Sequence, residues 1–204
     1  HSNPSCMGLA DGMASVTATG GTGAYTYSWS PSGGYNQVAM GLPGDITYTV
    51  SVADANGCIS TDTITLSNPP SVVANITSFS NPLCNTSTGI ATVSASGGTQ
   101  PYAYTWFPAG GTNATGAGLL GGISYTVEVV DSNGCTAFDS IVLVAPAAIE
   151  INLVSSSDPS CDATTDGSID IFSNGGTGIY SYTWIPSVSS GSSASGLAGD
   201  TAYQ

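Results

Sequence analysis

The sequence predicts an all-β protein built of tandem two-sheet repeats, and three observations support that fold class. A ten-residue phrase, GGTGAYTYSW at 20–29, returns as GGTQPYAYTW at 97–106 and as GGTGIYSYTW at 175–184. In each copy Tyr, Tyr and Trp alternate with Thr, Ser or Ala, which is the period of a strand with one buried face. Turn residues separate the short segments, and no helical period runs through them.

Landmark residues give the length of the repeat. The tryptophans, the first cysteine of each unit and the second cysteine recur at spacings of 77 or 78 positions: Trp29, Trp106, Trp184; Cys6, Cys84, Cys161; Cys58, Cys135. Each unit of about 77 residues therefore carries P-x-C, GGTxxYxYxW and DxNGC in that order. We expect repeat 1 at 1–69, lacking its first strand, a complete repeat 2 at 70–146, and repeat 3 at 147–204, which stops before its second cysteine.

The order of elements within a unit follows from turn signals. Gly-Gly supplies a turn before the aromatic strand, and TYTVSVADANGCIS at 47–60 predicts a strand, an Asn-Gly hairpin turn and a second strand. Many short strands and a Trp near the middle of each unit favour an immunoglobulin-like β-sandwich. Nine aromatic residues are expected to line the core: Tyr25, Tyr27, Trp29, Tyr102, Tyr104, Trp106, Tyr180, Tyr182 and Trp184.

The linkers at 67–71 and 144–147 are short and contain proline. Proline restricts a junction more than Gly or Ser does, so the units are expected to form a semi-rigid, rod-like array. Strands of about 7 residues at roughly 3.3 Å each would add some 25 Å per unit.

The cysteines are expected to form one disulfide within each unit. Cys6 with Cys58, and Cys84 with Cys135, would close loops of 52 and 51 positions. On the chain-entropy model such a bond stabilises a small unit by roughly 4 kcal/mol. Cys161 would lack its partner because repeat 3 is truncated, and no CxxC pair indicates a metal site.

The composition excludes several classes of partner. The chain has no Lys or Arg and a formal net charge of −13, so it repels nucleic acid and anionic membranes. No run approaches 18 apolar residues, so no membrane insertion is expected. The first residues, HSNPSCMG, have neither the basic nor the apolar region of a signal peptide, and we interpret the chain as an interior or mature part of a longer secreted precursor.

With these phrases assembled, the chain resembles the SprB repeat of very large surface adhesins of gliding bacteria. The resemblance rests on P-x-C, on GGTxxYxYxW and on DxNGC some 29 residues later. It implies export, through the type IX secretion system, and display as a tandem β-rich stalk or adhesin outside the cell or on its surface.

The residue types needed for catalysis are missing, so no enzyme activity is expected. The only histidine is His1 and there is no lysine, which excludes Ser-His and Ser-Lys systems. Asp158, Asp162, Asp166 and Asp170 recur every four residues, but that spacing places extended residues roughly 13 Å apart, too far for a carboxylate pair.

Calcium is the one cofactor considered, since an anionic chain without cations could use it to neutralise turns. The candidate ligands are Asp54, Asn56, Asp131 and Asn133 in the two DxNG turns. An Asx turn, in which the Asp accepts backbone hydrogen bonds, is the favoured interpretation because no DxDxDG loop is present. Asp11 and Asp166 precede glycine in two units, but Thr88 stands there in the other, which argues against a shared metal site.

Three hydroxyl residues follow an aspartate and precede an apolar residue: Thr63, Ser140 and Thr201. They resemble the Asp-Ser/Thr-apolar acceptor motif for O-glycosylation in bacteria that carry these repeats. The aromatic row could instead stack on sugars, but its place on a strand favours the core.

The sequence therefore predicts a non-catalytic segment of a secreted cell-surface protein, acting as a disulfide-stapled stalk or adhesin. Its partners would be other copies of the repeat, and surface glycans or substrata. A self-assembling extracellular filament or sheath subunit is the alternative, and a spacer attached to a secreted enzyme is a third.

Overall fold

The computed structural model describes residues 1–161 and 164–204, and every regular element in that part is a β-strand. Fourteen strands follow one another, and no helix within the described ranges is long and apolar enough to cross a membrane. Contacts group the chain into two compact units, His1–Phe79 with Ala91–Gly116 and Tyr125–Ile141, and Ser80–Ile90 with Ala117–Ser124 and Val142–Gln204. The division into three sequence repeats stays a prediction.

Repeat 1 contains two antiparallel sheets. Strands β1 (Gly12–Ser15) and β3 (Val38–Leu42) form one, and β2 (Thr26–Ser30), β4 (Ile46–Ala53) and β5 (Ile59–Leu66) form the other in the order β2-β4-β5. Both sheets contribute to one buried cluster, made of Ala14, Trp29, Ala39, Leu42, Tyr48, Val50 and Leu66. A core shared by two sheets is a β-sandwich, as the alternating sequence predicts.

Repeat 2 has the same strand order with one strand more. Strands β6 (Val73–Ser80), β7 (Gly89–Ser96) and β9 (Thr115–Leu119) form one sheet in that order. The second sheet has the order β11-β10-β8, from β8 (Ala103–Phe107), β10 (Ser124–Val130) and β11 (Thr136–Val142). Strand β6 is the first strand of repeat 2, and its counterpart is the strand that the sequence predicts repeat 1 to lack.

Repeat 3 forms one sheet, in the order β12 (Glu150–Ser157), β13 (Gly167–Asn174), β14 (Ser193–Leu197). The strand expected at 180–184 is not formed, so that prediction is wrong. In repeats 1 and 2 the equivalent strands pair with β4 and β10 over five residues, whereas in the described part of repeat 3 this pairing is limited to Ile185 and Gln204, which exchange backbone hydrogen bonds at 2.7 and 3.0 Å. Trp184 is nevertheless buried, and its Nε1 donates to Gly191 O at 2.9 Å.

A buried tyrosine fixes the turn that leads into the central strand of the second sheet. Tyr48 is fully buried and donates its hydroxyl to Pro43 O, five residues upstream, at 2.9 Å. Tyr125 is buried at the equivalent position, and Tyr203 accepts the Ala198 N–H at 2.9 Å. A tyrosine bonded back to its own corner is a hallmark of immunoglobulin-like sandwiches, and with the two-sheet core it confirms the predicted fold class.

The aromatic row lies at the core, but only its tryptophans are fully enclosed. Trp29, Trp106 and Trp184 are 7%, 3% and 7% exposed, whereas the six tyrosines of the row are half-buried. In β2 the exposed residues alternate with Tyr27 and Trp29, as predicted. Each tryptophan also donates Nε1 to a carbonyl seven residues later, which removes the cost of burying its polar edge.

Candidate functional site

A polar arrangement shared by repeats 1 and 2 joins the DxNGC turn to the GGT turn. Asp131 is 5% exposed, and its Oδ1 accepts the N–H groups of Asn133 and Cys135 at 2.9 and 2.8 Å. Its Oδ2 accepts the N–H of Thr99 at 2.8 Å. One carboxylate therefore folds its own turn and ties that turn to the start of the repeated phrase.

Asp54 does the same in repeat 1. Its Oδ1 accepts the N–H groups of Asn56 and Cys58, both at 2.9 Å, and its Oδ2 accepts that of Thr22 at 3.0 Å. A tyrosine also fixes the Gly-Gly segment, because its hydroxyl donates a hydrogen bond to the carbonyl of the first glycine, five residues earlier. The pairs are Tyr25 with Gly20, Tyr102 with Gly97, and Tyr180 with Gly175. The repeated phrase is thus a turn held at both ends and followed by a core strand.

These hydrogen bonds also bear on the two interpretations of the DxNG turns, the favoured Asx turn and the alternative calcium site. The structure places Asp54 and Asp131 in Asx-turn geometry, with both carboxylate oxygens already accepting backbone N–H groups. The Asn133 side chain donates to Thr99 Oγ1 and to Ser5 O, at 3.1 and 3.2 Å. Within residues 1–161 and 164–204 no three His, Cys, Asp or Glu residues are grouped so as to hold a metal ion.

Asp11, Asp166 and Asp170 each accept hydrogen bonds from a different serine, and none of these bonds joins one aspartate to another. Asp166 Oδ1 accepts the Ser160 N–H at 2.9 Å, and Asp170 Oδ2 accepts the Ser155 hydroxyl at 2.8 Å. Asp11 accepts the Ser5 N–H at 2.9 Å in the matching loop of repeat 1. Asp162 lies outside the described residues.

Hydrogen bonding lowers the pKa of these carboxyl groups, and the physical cause differs between them. The backbone N–H of Cys58 chiefly lowers the pKa of Asp54. Burial acts to raise the pKa of Asp131, but N–H donors from Thr99 and Cys135 outweigh it, so that this pKa is lowered too. The side-chain hydrogen bond from Ser160 is the main cause that lowers the pKa of Asp166 to about 2.

We expect acid to destabilise the fold in a defined window. A carboxyl group whose pKa is lower in the folded state than in the unfolded state stabilises the fold at any pH above its unfolded pKa, near 4. This stabilisation is lost as the pH falls from that value through the pKa of the folded state. The melting temperature followed by circular dichroism should therefore change little between pH 7 and pH 5 and fall between about pH 4 and pH 2. Asp166→Asn should make that fall shallower, and an equally steep fall would contradict the assignment.

The disulfide in the structure is not one that the sequence predicts. Cys6 is bonded to Cys135, with their Cα atoms 5.6 Å apart, and the predicted Cys6–Cys58 and Cys84–Cys135 pairs are wrong. Cys58, Cys84 and Cys161 are unpaired and exposed. Both bonded cysteines lie within the first compact unit, and the bond joins repeat 1 to repeat 2.

Strand length explains why Cys6 and Cys58 do not meet. Cys58 immediately precedes β5, whereas the loop that holds Cys6 is attached to the other end of that strand. Asn3 Oδ1 accepts the Ser67 N–H just after β5, and Asn3 Nδ2 donates to Ser67 Oγ, both at 3.1 Å. An eight-residue strand separates its ends by more than roughly 20 Å, and disulfides need Cα atoms within about 7 Å.

Repeat 2 contains the same arrangement. Val144, just after β11, donates its N–H to Asn81 Oδ1 at 3.0 Å, as Ser67 does to Asn3 in repeat 1. Cys84 follows Asn81 by three residues, and Cys135 immediately precedes β11. The first and second cysteines of one unit therefore belong to opposite ends of its last strand.

Two grooves are open along repeats 1 and 3. One of about 480 Å³ is lined in repeat 1 by residues that include Gly20, Gly21, Tyr25 and Val52. The other, of about 410 Å³, is lined in repeat 3 by apolar residues that include Ile151, Leu153, Trp184 and Tyr203. In repeat 2 the buried Val72 closes the place that corresponds to the first groove, so this groove is the open side of a sandwich.

Substitution by alanine is expected to destabilise the fold more at Gly97 than at Gly20, the matching position in repeat 1. Both have positive φ, 71° and 81°, so alanine is strained by about 1 kcal/mol at either position. A Cβ on Gly97 would lie 2.0 Å from Ser71 O, whereas one on Gly20 meets nothing within 4 Å. Gly97→Ala should therefore destabilise the fold by about 1–3 kcal/mol more than Gly20→Ala in urea unfolding. Equal losses would show that the segment before β6 does not pack there.

The residues expected to carry O-glycans lie at the surface. Thr63 on β5 and Ser140 on β11 are exposed on strands that form sheet edges. Each donates its N–H to the preceding aspartate, Asp62 or Asp139, at 2.8 Å. Thr201 is exposed as well.

Repeated two-sheet sandwiches, held by turn carboxylates and joined by a disulfide, define a structural repeat module of a kind that is typically non-enzymatic. The SprB repeat matches residues 1–34, 76–111 and 153–189, which is more than half of the chain. The chain belongs to the SprB repeat family, as its motifs indicate. SprB repeats occur in secreted cell-surface proteins.

The chain is similar to three N-terminal domains of the highly immunogenic outer capsid protein (Hoc) of bacteriophage RB49, with 14% identity and a TM-score of 0.45. The match covers 90% of this chain and 73% of the phage chain. No curated protein matches the chain.

Proposed function

We propose that this chain is part of the stalk of a secreted bacterial adhesin, in which successive repeats form a semi-rigid rod at the cell surface. The observation that carries the proposal is the bonded junction between repeats 1 and 2. Cys6 is joined to Cys135, and Ser5 O accepts a hydrogen bond from the Asn133 side chain at 3.2 Å. A covalent bond and a short proline linker both restrict bending at that junction.

The surface composition supports an extracellular setting. A chain with no Lys or Arg and 13 acidic residues stays soluble through charge repulsion and through Ser and Thr hydroxyls. A disulfide persists in an oxidising compartment, which fits export. We assign that export to the type IX secretion system. The adhesin is proposed to contact surface glycans or substrata, and Thr63, Ser140 and Thr201 are proposed to carry O-glycans.

The surface stalk is tested by labelling and microscopy of the native parent protein. Antibodies raised against the 204-residue chain should label intact cells, and a strain that lacks the gene is the matched control. Protein released from those cells should appear in electron micrographs as isolated rods. Label that appears only after lysis would overturn the proposal.

A filament subunit is the second candidate, and one observation favours it. On the edge strand β12, Ile151, Leu153 and Val154 are each about two-thirds exposed, so this strand offers both edge backbone groups and apolar side chains to another chain. Ordered fibres of uniform width in the same micrographs would favour a filament over a single-chain stalk.

The stalk is proposed to need no metal ion, because backbone N–H groups already occupy the oxygens of Asp54 and Asp131. We therefore expect EDTA to leave the melting temperature within about 1 °C of its value in 1 mM CaCl₂. Asp131→Asn is the matched variant, because it weakens the turn whether or not calcium is present. If EDTA lowered the melting temperature of the natural chain but not that of Asp131→Asn, calcium would be assigned to the turn.

A further inference from the structure

The cysteines that remain unpaired occupy the same local geometry as the bonded pair. The carbonyl of the first cysteine in each unit accepts the N–H of the residue three positions later, from Leu9 to Cys6, Ser87 to Cys84 and Thr164 to Cys161, at 3.1–3.2 Å. Side-chain hydroxyls reinforce two of these turns, since Ser87 Oγ and Thr164 Oγ1 each bond to both the N–H and the carbonyl of their cysteine. The turn that presents Cys6 is therefore present at Cys84 and Cys161.

The second cysteines match each other as well. Cys58 and Cys135 donate their N–H groups to Asp54 and Asp131 Oδ1 at 2.9 and 2.8 Å. Their carbonyls accept the N–H of the same aspartates at 3.0 and 2.9 Å. Cys58 is thus presented as Cys135 is, but it is exposed and unpaired.

Position along the strands decides which cysteines can meet. In repeats 1 and 2 the second cysteine stands at the start of the last strand, and the first cysteine lies in the loop that is bonded to the end of that strand. The chain leaves the unit from the end of the last strand, so the first cysteine stands near the exit to the following repeat. The second cysteine of that following repeat, as Cys135 shows for Cys6, is the group that meets it.

We propose that the parent array is cross-linked by a ladder of disulfides, each joining the first cysteine of one repeat to the second cysteine of the next. Cys6–Cys135 is one rung. In the next rung Cys84 would pair with a second cysteine in repeat 3. In the rung after that, Cys161 would pair with the second cysteine of the following repeat. Cys58 would pair with the first cysteine of a preceding repeat. This goes beyond the stalk function, because it specifies a covalent connection of every repeat to both neighbours.

Formation of each rung is an oxidation of two thiols. The thiols lose two protons and two electrons, an S–S bond forms, and a disulfide oxidant of the exporting compartment is reduced to two thiols. Oxidised glutathione supplies this oxidant in a refolding experiment.

The ladder is tested by completing repeat 3 on the full chain. Gln204 corresponds to Thr126, so a copy of residues 127–146 appended after Gln204 supplies the last strands and a cysteine copied from Cys135. The protein is refolded with oxidised glutathione, alkylated, and digested with pepsin in acid, since trypsin finds no Lys or Arg. Mass spectrometry then identifies the linked peptides.

The expected result is a bond between Cys84 and the copied cysteine, with Cys6–Cys135 intact and Cys161 alkylated. A bond between Cys161 and the copied cysteine, or alkylated Cys84, would overturn the ladder. A second variant does not depend on the extension: Cys6→Ser in the 204-residue chain should leave Cys135 alkylated, and a Cys84–Cys135 bond would overturn the proposal. Either failure leaves the stalk function standing, because surface labelling and microscopy test that separately.

Discussion

Replacing Trp106 with alanine is expected to destabilise repeat 2 by about 3–5 kcal/mol, the range for truncating a buried aromatic residue to alanine. Trp106 is 3% exposed and lies opposite Val127 in the sheet. The backbone packs directly on its ring, because a Cβ on Gly116 would lie 2.7 Å from it. Removal of the ring would leave a cavity and deprive Asn113 O of its 3.0 Å hydrogen bond from Nε1.

The neighbouring residue provides the control for this prediction. Phe107 is on the same strand but is 50% exposed, so Phe107→Ala should cost less than about 1 kcal/mol. Urea unfolding followed by far-ultraviolet circular dichroism compares the two variants without relying on tryptophan fluorescence. Similar losses for both would mean that the aromatic row is not the core of the repeat.

Loss of the disulfide is the second large effect that we expect. Cys6 and Cys135 are 129 positions apart, and on the chain-entropy model a loop of that size stabilises the folded state by about 4–5 kcal/mol. Cys135→Ser should therefore lower the free energy of unfolding by an amount of that order. The hydrogen bond between Asn133 and Ser5 is too weak to hold the junction alone.

Cys84→Ser is the matched control, because this thiol is unpaired and exposed in the 204-residue chain. It should change stability by less than about 0.5 kcal/mol. Reductant should shift the urea midpoint of the natural chain and of Cys84→Ser but not that of Cys135→Ser. A comparable loss in the Cys84 and Cys135 variants would contradict the observed pairing.

Local pattern is sufficient to predict much of the fold. The alternation around Trp29 and Trp106 predicts core strands, because side chains of a strand alternate between two faces whatever the tertiary context. The Asn-Gly pair predicts a hairpin turn, and the structure has one at 54–58, in which Gly57 supplies the positive φ, 80°. For Tyr48 the pattern indicates only a strand, since its bond back to Pro43 depends on how the corner packs.

The strand predicted at 180–184 is absent for a physical reason. Its sequence alternates as well as those of β2 and β8, but a strand also needs a neighbour for its backbone groups. Local sequence reports the preference of a segment and not the presence of its partner.

The disulfide shows where spacing misleads. Cys6 and Cys58 lie in one repeat and are closer in sequence than Cys6 and Cys135, so loop length favours the wrong pair. The direction of the strands contains the missing information, because a cysteine at the start of the last strand cannot reach a loop attached to its end. The predicted strand that follows Cys58 and ends near Leu66 is long enough to separate the two cysteines, provided that the loop of Cys6 is known to join its far end.

Because Cys6 is bonded to Cys135, we expect tension along the chain to pass through this covalent bond at the junction of repeats 1 and 2 and not through their folded cores. Single-molecule stretching of the 204-residue chain by its two ends tests this directly, with and without reductant. Oxidised chains should extend only outside the segment between Cys6 and Cys135, and reduction should release roughly 450 Å more, at about 3.5 Å per residue for 129 residues. Equal extension in both conditions, or extension of the linker at 67–71 in oxidised chains, would contradict the claim.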